Sequence, residues 1–162
     1  HGLTILSATN AQGRIDFTDT VNTADPQGKV AYYHDSDSLQ FFTNGASASN
    51  ERLRIASNGD ATFSANITAS GYIDSSSDLK LKTNIKTIDN ALEKTLKLRG
   101  VEFDRVDKDD RQIGVIAQEV EKIIPEVVHG DETKSVTYGN LVALLIEAIK
   151  ELKKEIDELK LS

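Results

Sequence analysis

The residue types that could do chemistry lie together in Ser75-Ser76-Ser77-Asp78-Leu79-Lys80-Leu81-Lys82-Thr83-Asn84-Ile85. A serine hydroxyl is a poor nucleophile at neutral pH and needs a base to take its proton. A lysine amine is such a base only when neutral, which requires burial or a neighbouring positive charge. Ser77 and Lys82 stand five residues apart, with Lys80 the nearer competitor and Ser75 and Ser76 the adjacent alternatives. On an extended segment Lys80 and Lys82 share one face and Ser77 lies on the other. Ser77 therefore meets Lys82 only if the chain turns around Asp78, which would orient the hydroxyl or cap that turn. Lys80, Lys86 or a basic residue of a neighbouring chain would be the cation that keeps Lys82 neutral. Spacing alone reads as a polar linker followed by a helix cap.

Other chemistries find little support. The chain has no cysteine, which excludes disulfides, thiol catalysis and thiolate-bound zinc. The histidines His1, His34 and His129 are too dispersed for a metal site, and no cofactor is implied. Lys and Arg number 4 against 8 Asp and Glu in residues 1–76, and 15 against 18 in residues 77–162. Neither part is basic, which argues against a nucleic-acid surface. No apolar run reaches the roughly 18 residues that a membrane span needs. There is no signal-peptide pattern, and His1-Gly2-Leu3, lacking an initiator Met, reads as the start of a fragment. The acids Asp16, Asp19, Asp35 and Asp37 read as solvated strand edges and turns. No aromatic-lined carboxylate pair points to a glycan hydrolase.

Two different textures flank the serine-lysine stretch. Residues 1–74 carry short alternating segments at Leu3–Leu6, Arg14–Phe17, Val30–Tyr33, Leu39–Phe42, Arg52–Ile55 and Ala61–Phe63, which predict strands. Gln12-Gly13, Pro26-Gln27-Gly28, Asn44-Gly45 and Asn58-Gly59-Asp60 predict the turns between them. Strands so short leave little core in one chain, and sharing them across a trimer would bury both faces and edges.

Residues 75–162 are charged and rich in Leu and Ile. Ile88, Leu92 and Leu96 predict a short helix over 88–98, capped by Thr87 or Asp89 and followed by Gly100. Val101–Val106 and Arg111–Val115 predict two strands around a polar turn at Asp107–Asp110. A second helix is predicted over Ala117–Ile124, stopped by Pro125. His129–Glu132 then reads as a hairpin loop between Val127-Val128 and Ser135–Tyr138. The last element, residues 139–161, shows Val142, Leu145, Ile149, Leu152, Ile156 and Leu159 at heptad spacing, extending back to Tyr138. A neighbouring helix could pair Glu155 with its Lys160. Ile at a with Leu at d by itself favours two strands, so a trimer would have to be imposed by the rest of the molecule.

Ser77-Asp78, Leu81-Lys82 and Asn84-Ile85, followed by Ala91-Leu92 and Leu96–Gly100, resemble the opening of the peptidase S74 family. This is the intramolecular chaperone domain of phage tailspikes and tail fibres, found in endosialidase tailspikes, neck appendages and L-shaped tail fibres; myelin regulatory factor uses it too. Ile113–Val120 with Pro125–Val128 resembles the family's second signature, and Val136-Thr137-Tyr138 with Leu141 leads into its terminal coiled coil. Glu51–Ala61 is similar to segments at the distal ends of phage tail fibres. The resemblance implies an α+β protein: a β-rich trimeric fibre segment over 1–74, then a small mixed α/β chaperone domain over 75–162 with a long coiled-coil helix. It implies a homotrimer whose client is the fibre segment of the same polypeptide, located in a virion tail fibre or tailspike. It selects Ser77 as nucleophile and Lys82 as base, with cleavage between Ser76 and Ser77 releasing the chaperone domain, and Asp78 and Gln118 in support. The competing expectation is a non-cleaving structural or receptor-binding tip, with the same trimer and no protease.

Overall fold

The computed structural model describes residues 2–19, 26–107 and 110–161. His1, Lys108 and Asp109, on which parts of the sequence reading fall, lie outside them. The fold is mixed α+β, and the chain divides into two compact units, residues 1–76 and 77–162.

The first unit is one antiparallel meander of five strands in chain order. They are β1 (Gln12–Phe17), β2 (Gly28–Tyr33), β3 (Ser38–Thr43), β4 (Glu51–Ile55) and β5 (Ala61–Phe63). Tight reversals use backbone with positive φ at Asp37 (44°), Asn44 (65°), Gly45 (109°) and Gly59 (91°). At Phe41 and Phe42 the β3–β4 register shifts, leaving Arg52 as a bulge residue that reaches back to Thr43 Oγ1 at 2.8 Å.

Pleating gives this sheet two unlike faces. One is polar and covered. Its buried Lys29 donates to Tyr33 OH at 2.7 Å and sits 4.0 Å over the Phe42 ring. The other is apolar, in a row Ile15–Val30–Phe41–Leu53–Phe63 and a second row Tyr32–Leu39–Ile55. On it Phe17, Ile15, Tyr32, Ile55 and Phe63 remain 36% to 58% exposed.

Two expectations for this unit fail. No strand forms at Leu3–Leu6, because no described strand pairs with it; Ile5 instead packs against Gly13, where a Cβ would lie 3.4 Å from its Cγ2. Gln12-Gly13 is not a turn but the start of β1; the reversal comes earlier, where Ala11 N donates to Ala8 O at 3.0 Å.

The second unit begins with a 3-10 turn at Leu79–Leu81 and continues with helix α1 (Ala91–Lys97). The hairpin β6 (Val101–Asp104) and β7 (Arg111–Gly114) follows, then α2 (Ala117–Val120), only four residues long. A 3-10 turn at Pro125–Val127 leads to the two-residue strands β8 (Val128–His129) and β9 (Ser135–Val136). His129 therefore belongs to a strand and not to the hairpin loop. After a 3-10 turn at Tyr138–Asn140 the chain enters α3 (Leu141–Leu161), 21 residues long. Among the described residues no helix is long and apolar enough to cross a membrane.

The core of this unit is where α1 meets α3. Ala91, Leu144 and Ala148 are buried, with Ile88, Leu92, Leu98 and Ile124 around them. Leu96, expected on the same stripe, stays 76% exposed. The expected caps of α1 are absent as well: Asn90 precedes the helix with φ 50° and makes no side-chain cap, while Asp89 is held by Lys94. The cap comes from α3, where Glu151 Oε1 and Oε2 accept the amides of Ala91 and Leu92 at 3.0 and 2.8 Å.

Helix α3 thus carries two apolar stripes. Leu144 and Ala148 pack inside the unit, whereas the heptad residues Val142, Leu145, Ile149, Leu152, Ile156 and Leu159 are 39% to 75% exposed. A helix merely packed on its own domain would bury its main stripe. Tyr138 stands before the helix, in the 3-10 turn, and its hydroxyl accepts the Val115 amide at 3.1 Å. That contact needs glycine at position 114, where a Cβ would lie 2.5 Å from the Tyr138 hydroxyl oxygen.

Candidate functional site

The site is built by one short turn. Asp78 N-caps the 3-10 turn at Leu79–Leu81, its Oδ1 accepting the Lys80 amide at 2.9 Å. The Lys82 amide closes the turn on Leu79 O at 3.0 Å, and Lys82 itself returns to extended backbone. Six residues are thereby folded so that the two ends of Ser77–Lys82 meet, and Lys82 Nζ lies 2.7 Å from Ser77 Oγ. Lys80 is drawn away: its Nζ is 3.4 Å from Asp78 Oδ2. Of the two roles open to Asp78, the structure places it as the cap.

Ser77 and Lys82 line a cavity of about 780 Å³. Its walls include Lys86, Ile88 and Asp89 from the segment before α1, Lys94 from α1, Asn140 from the 3-10 turn at Tyr138–Asn140, and Val142 from the start of α3. Lys94 Nζ bonds Asp89 O at 2.9 Å and Asp89 Oδ1 at 3.3 Å. The hydrogen bond from Lys94, with its charge and a backbone amide, holds the Asp89 carboxyl below the usual carboxylate range. Both Ser77 and Lys82 are exposed in the single chain. Lys82 Nζ donates to Ser77 Oγ in this arrangement.

Gln118 does not join them. It lines a separate cavity of about 720 Å³ with Arg99, Phe103, Lys134 and Tyr138. Of the acids in the first unit, Asp16 pairs with Arg14 at 2.8 Å and Asp37 accepts from Tyr32 OH at 3.2 Å. No three His, Cys, Asp or Glu side chains among the described residues could hold a metal ion. The residue that sequence reasoning missed is Glu151. Lying off the heptad stripe, it looks like solvated helix surface, and its partners are 59 and 60 residues away. Its carboxyl is held below the usual range first by the Leu92 amide and then by that of Ala91.

Residues 77–129 match the family model of Peptidase_S74, described as chaperone of endosialidase. Long tail fiber protein Gp37 of Enterobacteria phage K3 is 34% identical over 125 residues, covering 70% of this chain and 10% of that protein. Gp37 of phage T2 is 36% identical over 115 residues, covering 64% of this chain and 8% of its own length. Gp37 of phage M1 is 41% identical over 96 residues, which cover 52% of this chain and 38% of that protein. The chain thus spans a tenth or less of the first two relatives. Among solved structures, the carboxy-terminal domain of the bacteriophage T5 L-shaped tail fiber with its intra-molecular chaperone domain aligns with a TM-score of 0.43 at 10% identity. That alignment covers 93% of this chain and 54% of the other.

Proposed function

Because residues 77–129 match the family model of Peptidase_S74, chaperone of endosialidase, we propose that the chain is the self-cleaving chaperone end of a phage tail fibre. Residues 75–162 act as the intramolecular chaperone, and residues 1–74 are the fibre segment that it helps to fold. The observation that carries the reading is the 2.7 Å approach of Lys82 Nζ to Ser77 Oγ across a capped turn. Lys82, once neutral, takes the Ser77 hydroxyl proton as Oγ attacks the carbonyl carbon of Ser76. The Ser76–Ser77 amide bond breaks, the Ser77 nitrogen receives that proton, and the Ser76 acyl group rests on Oγ as an ester. Water then attacks the ester, leaving residues 1–76 with a new carboxylate and residues 77–162 with a new amino terminus and a restored hydroxyl.

Assembly supplies what one chain lacks. Each unit leaves an apolar face bare: the rows on the sheet, and the heptad stripe of α3. A heptad stripe is completed by copies of the same helix. Copies joined by α3 hold three sheets of the first unit at high local concentration, where their apolar faces can cover one another. The same assembly covers the exposed Ser77 and Lys82, so the chains associate first and cut afterwards. The fibre left behind stays in register because its chains cannot part without unfolding. It becomes part of the virion tail fibre, and the released chaperone domain stays in the host cell where it was made.

A denaturing gel of freshly made chain tests this reading. Wild type is expected to resolve into two fragments with time. An unchanged chain that sediments as a trimer would leave a non-cleaving structural or receptor-binding tip. An unchanged monomer would remove the chaperone reading altogether.

A further inference from the structure

We propose that Glu151 is a positioning residue for the Ser77–Lys82 pair, linking the assembling helix α3 to the wall of their cavity; the inference rests on the self-cleavage reading above. Helix α1 has seven residues and no cap of its own, since Asn90 sits in the left-handed region and makes no side-chain bond to the helix. Its first amides would be orphaned without Glu151, whose two oxygens take those of Ala91 and Leu92. The cap is backed by packing: Ala91 is fully buried in one cluster with Leu144 and Ala148 of α3. The residues immediately before that capped end, Lys86, Ile88 and Asp89, stand in the same cavity wall as Ser77 and Lys82. Fixing the start of α1 therefore fixes where this wall ends.

The other end of the link is the coiled-coil stripe. Glu151 lies between Ile149 and Leu152 in sequence, and Val142, the first heptad residue of α3, itself lines the cavity. Packing of α3 against its copies would fix the course of the helix along its length, keep the Glu151 carboxylate on the two amides, and bring a neighbouring chain against Val142. The site is then complete only in an assembled molecule, which orders cutting after association. Cleavage needs the hydroxyl, amine and scissile carbonyl within tenths of an ångström, so a small shift of this wall costs rate more than it costs stability.

The test compares the full chain carrying Glu151→Ala or Glu151→Gln with wild type, reading sedimentation mass and the half-time of self-cleavage on the same samples. Glu151→Ala is expected to sediment as wild type does and to cut more slowly, on the order of tenfold or more. Glu151→Gln keeps one acceptor oxygen for an amide and is expected to fall between the two. Assembled variants cutting at the wild-type rate would overturn the inference. So would failure of both variants to assemble, which would make Glu151 a plain stability contact. If only Glu151→Ala fails to assemble, the rate of Glu151→Gln decides: slower than wild type supports the link and equal refutes it. Wild type that assembles without cutting refutes the self-cleavage reading itself, and this inference with it, and is told apart because no variant then enters the comparison.

Discussion

Replacing Ile149 with alanine should weaken assembly while leaving the single-chain fold almost untouched. Ile149 is 67% exposed in one chain, so about two thirds of its burial is available only to a partner. Full burial of such a side chain stabilises by about 1.5–3 kcal/mol, and alanine keeps roughly one methyl group's share. The loss is about 0.5–1.5 kcal/mol per helix, or about 1.5–4.5 kcal/mol for the three helices of the proposed trimer. In the association constant this is on the order of a ten- to thousandfold change. Sedimentation equilibrium of the Ser77→Ala chain with and without Ile149→Ala measures it free of cleavage. The contrast is Leu144→Ala, which is 3% exposed in one chain and should cost about 2–5 kcal/mol of the fold itself. If Ile149→Ala lowered the melting temperature of the monomer as Leu144→Ala does, while leaving assembly unchanged, the assignment of the two stripes would be wrong.

Gly114→Ala should destabilise the second unit by about 1–3 kcal/mol, because the new Cβ would press on the Tyr138 hydroxyl 2.5 Å away. Adding Tyr138→Phe should recover part of that loss; on its own it should cost about 1 kcal/mol through the Val115 amide bond. Thermal unfolding of the four chains tests the coupling, and strictly additive losses would refute it. Acid should weaken the second unit. Hydrogen bonds from the Leu92 and Ala91 amides depress the Glu151 carboxyl, and Lys94, Lys97 and Arg99 do so for Asp89, Glu93 and Glu119. A depressed carboxylate contributes its stability above its unfolded value and loses it as the pH falls through the folded one. Circular dichroism should therefore show level stability down to about pH 4 and a decline below. Added salt should weaken the three ion-paired contributions more than that of Glu151, whose partners are amides.

Much of the fold was legible because it rests on local periods. The alternation of Arg14–Phe17, Val30–Tyr33 and Leu39–Phe42 gave strands, and Asn44-Gly45 and Asn58-Gly59 marked reversals that do use positive φ. Leu3–Leu6 has the same alternation, but a strand exists only where another strand offers its hydrogen bonds. The heptad stripe of α3 was written in the sequence; the inner stripe of Leu144, Ala148 and Glu151 was hidden because it repeats with the same period. At the site, the need for a turn around Asp78 followed from the alternation of side chains, and Asp78 is a good cap by type. The cap on α1 was not legible, since a glutamate from another helix stands in for the local Thr87 or Asp89. Nor was the placement of Gln118, whose cavity is walled by residues as far apart in the chain as Arg99 and Tyr138.

Denaturing mass spectrometry of freshly made wild type beside Ser77→Ala and Lys82→Ala tests the Ser77–Lys82 pair and the scissile bond together. Wild type is expected to yield residues 1–76 and 77–162, the second beginning with a free Ser77 amine, and both variants are expected to stay whole. A wild-type chain that remains whole after assembly, or a cut that persists in Lys82→Ala, would contradict self-cleavage by this pair.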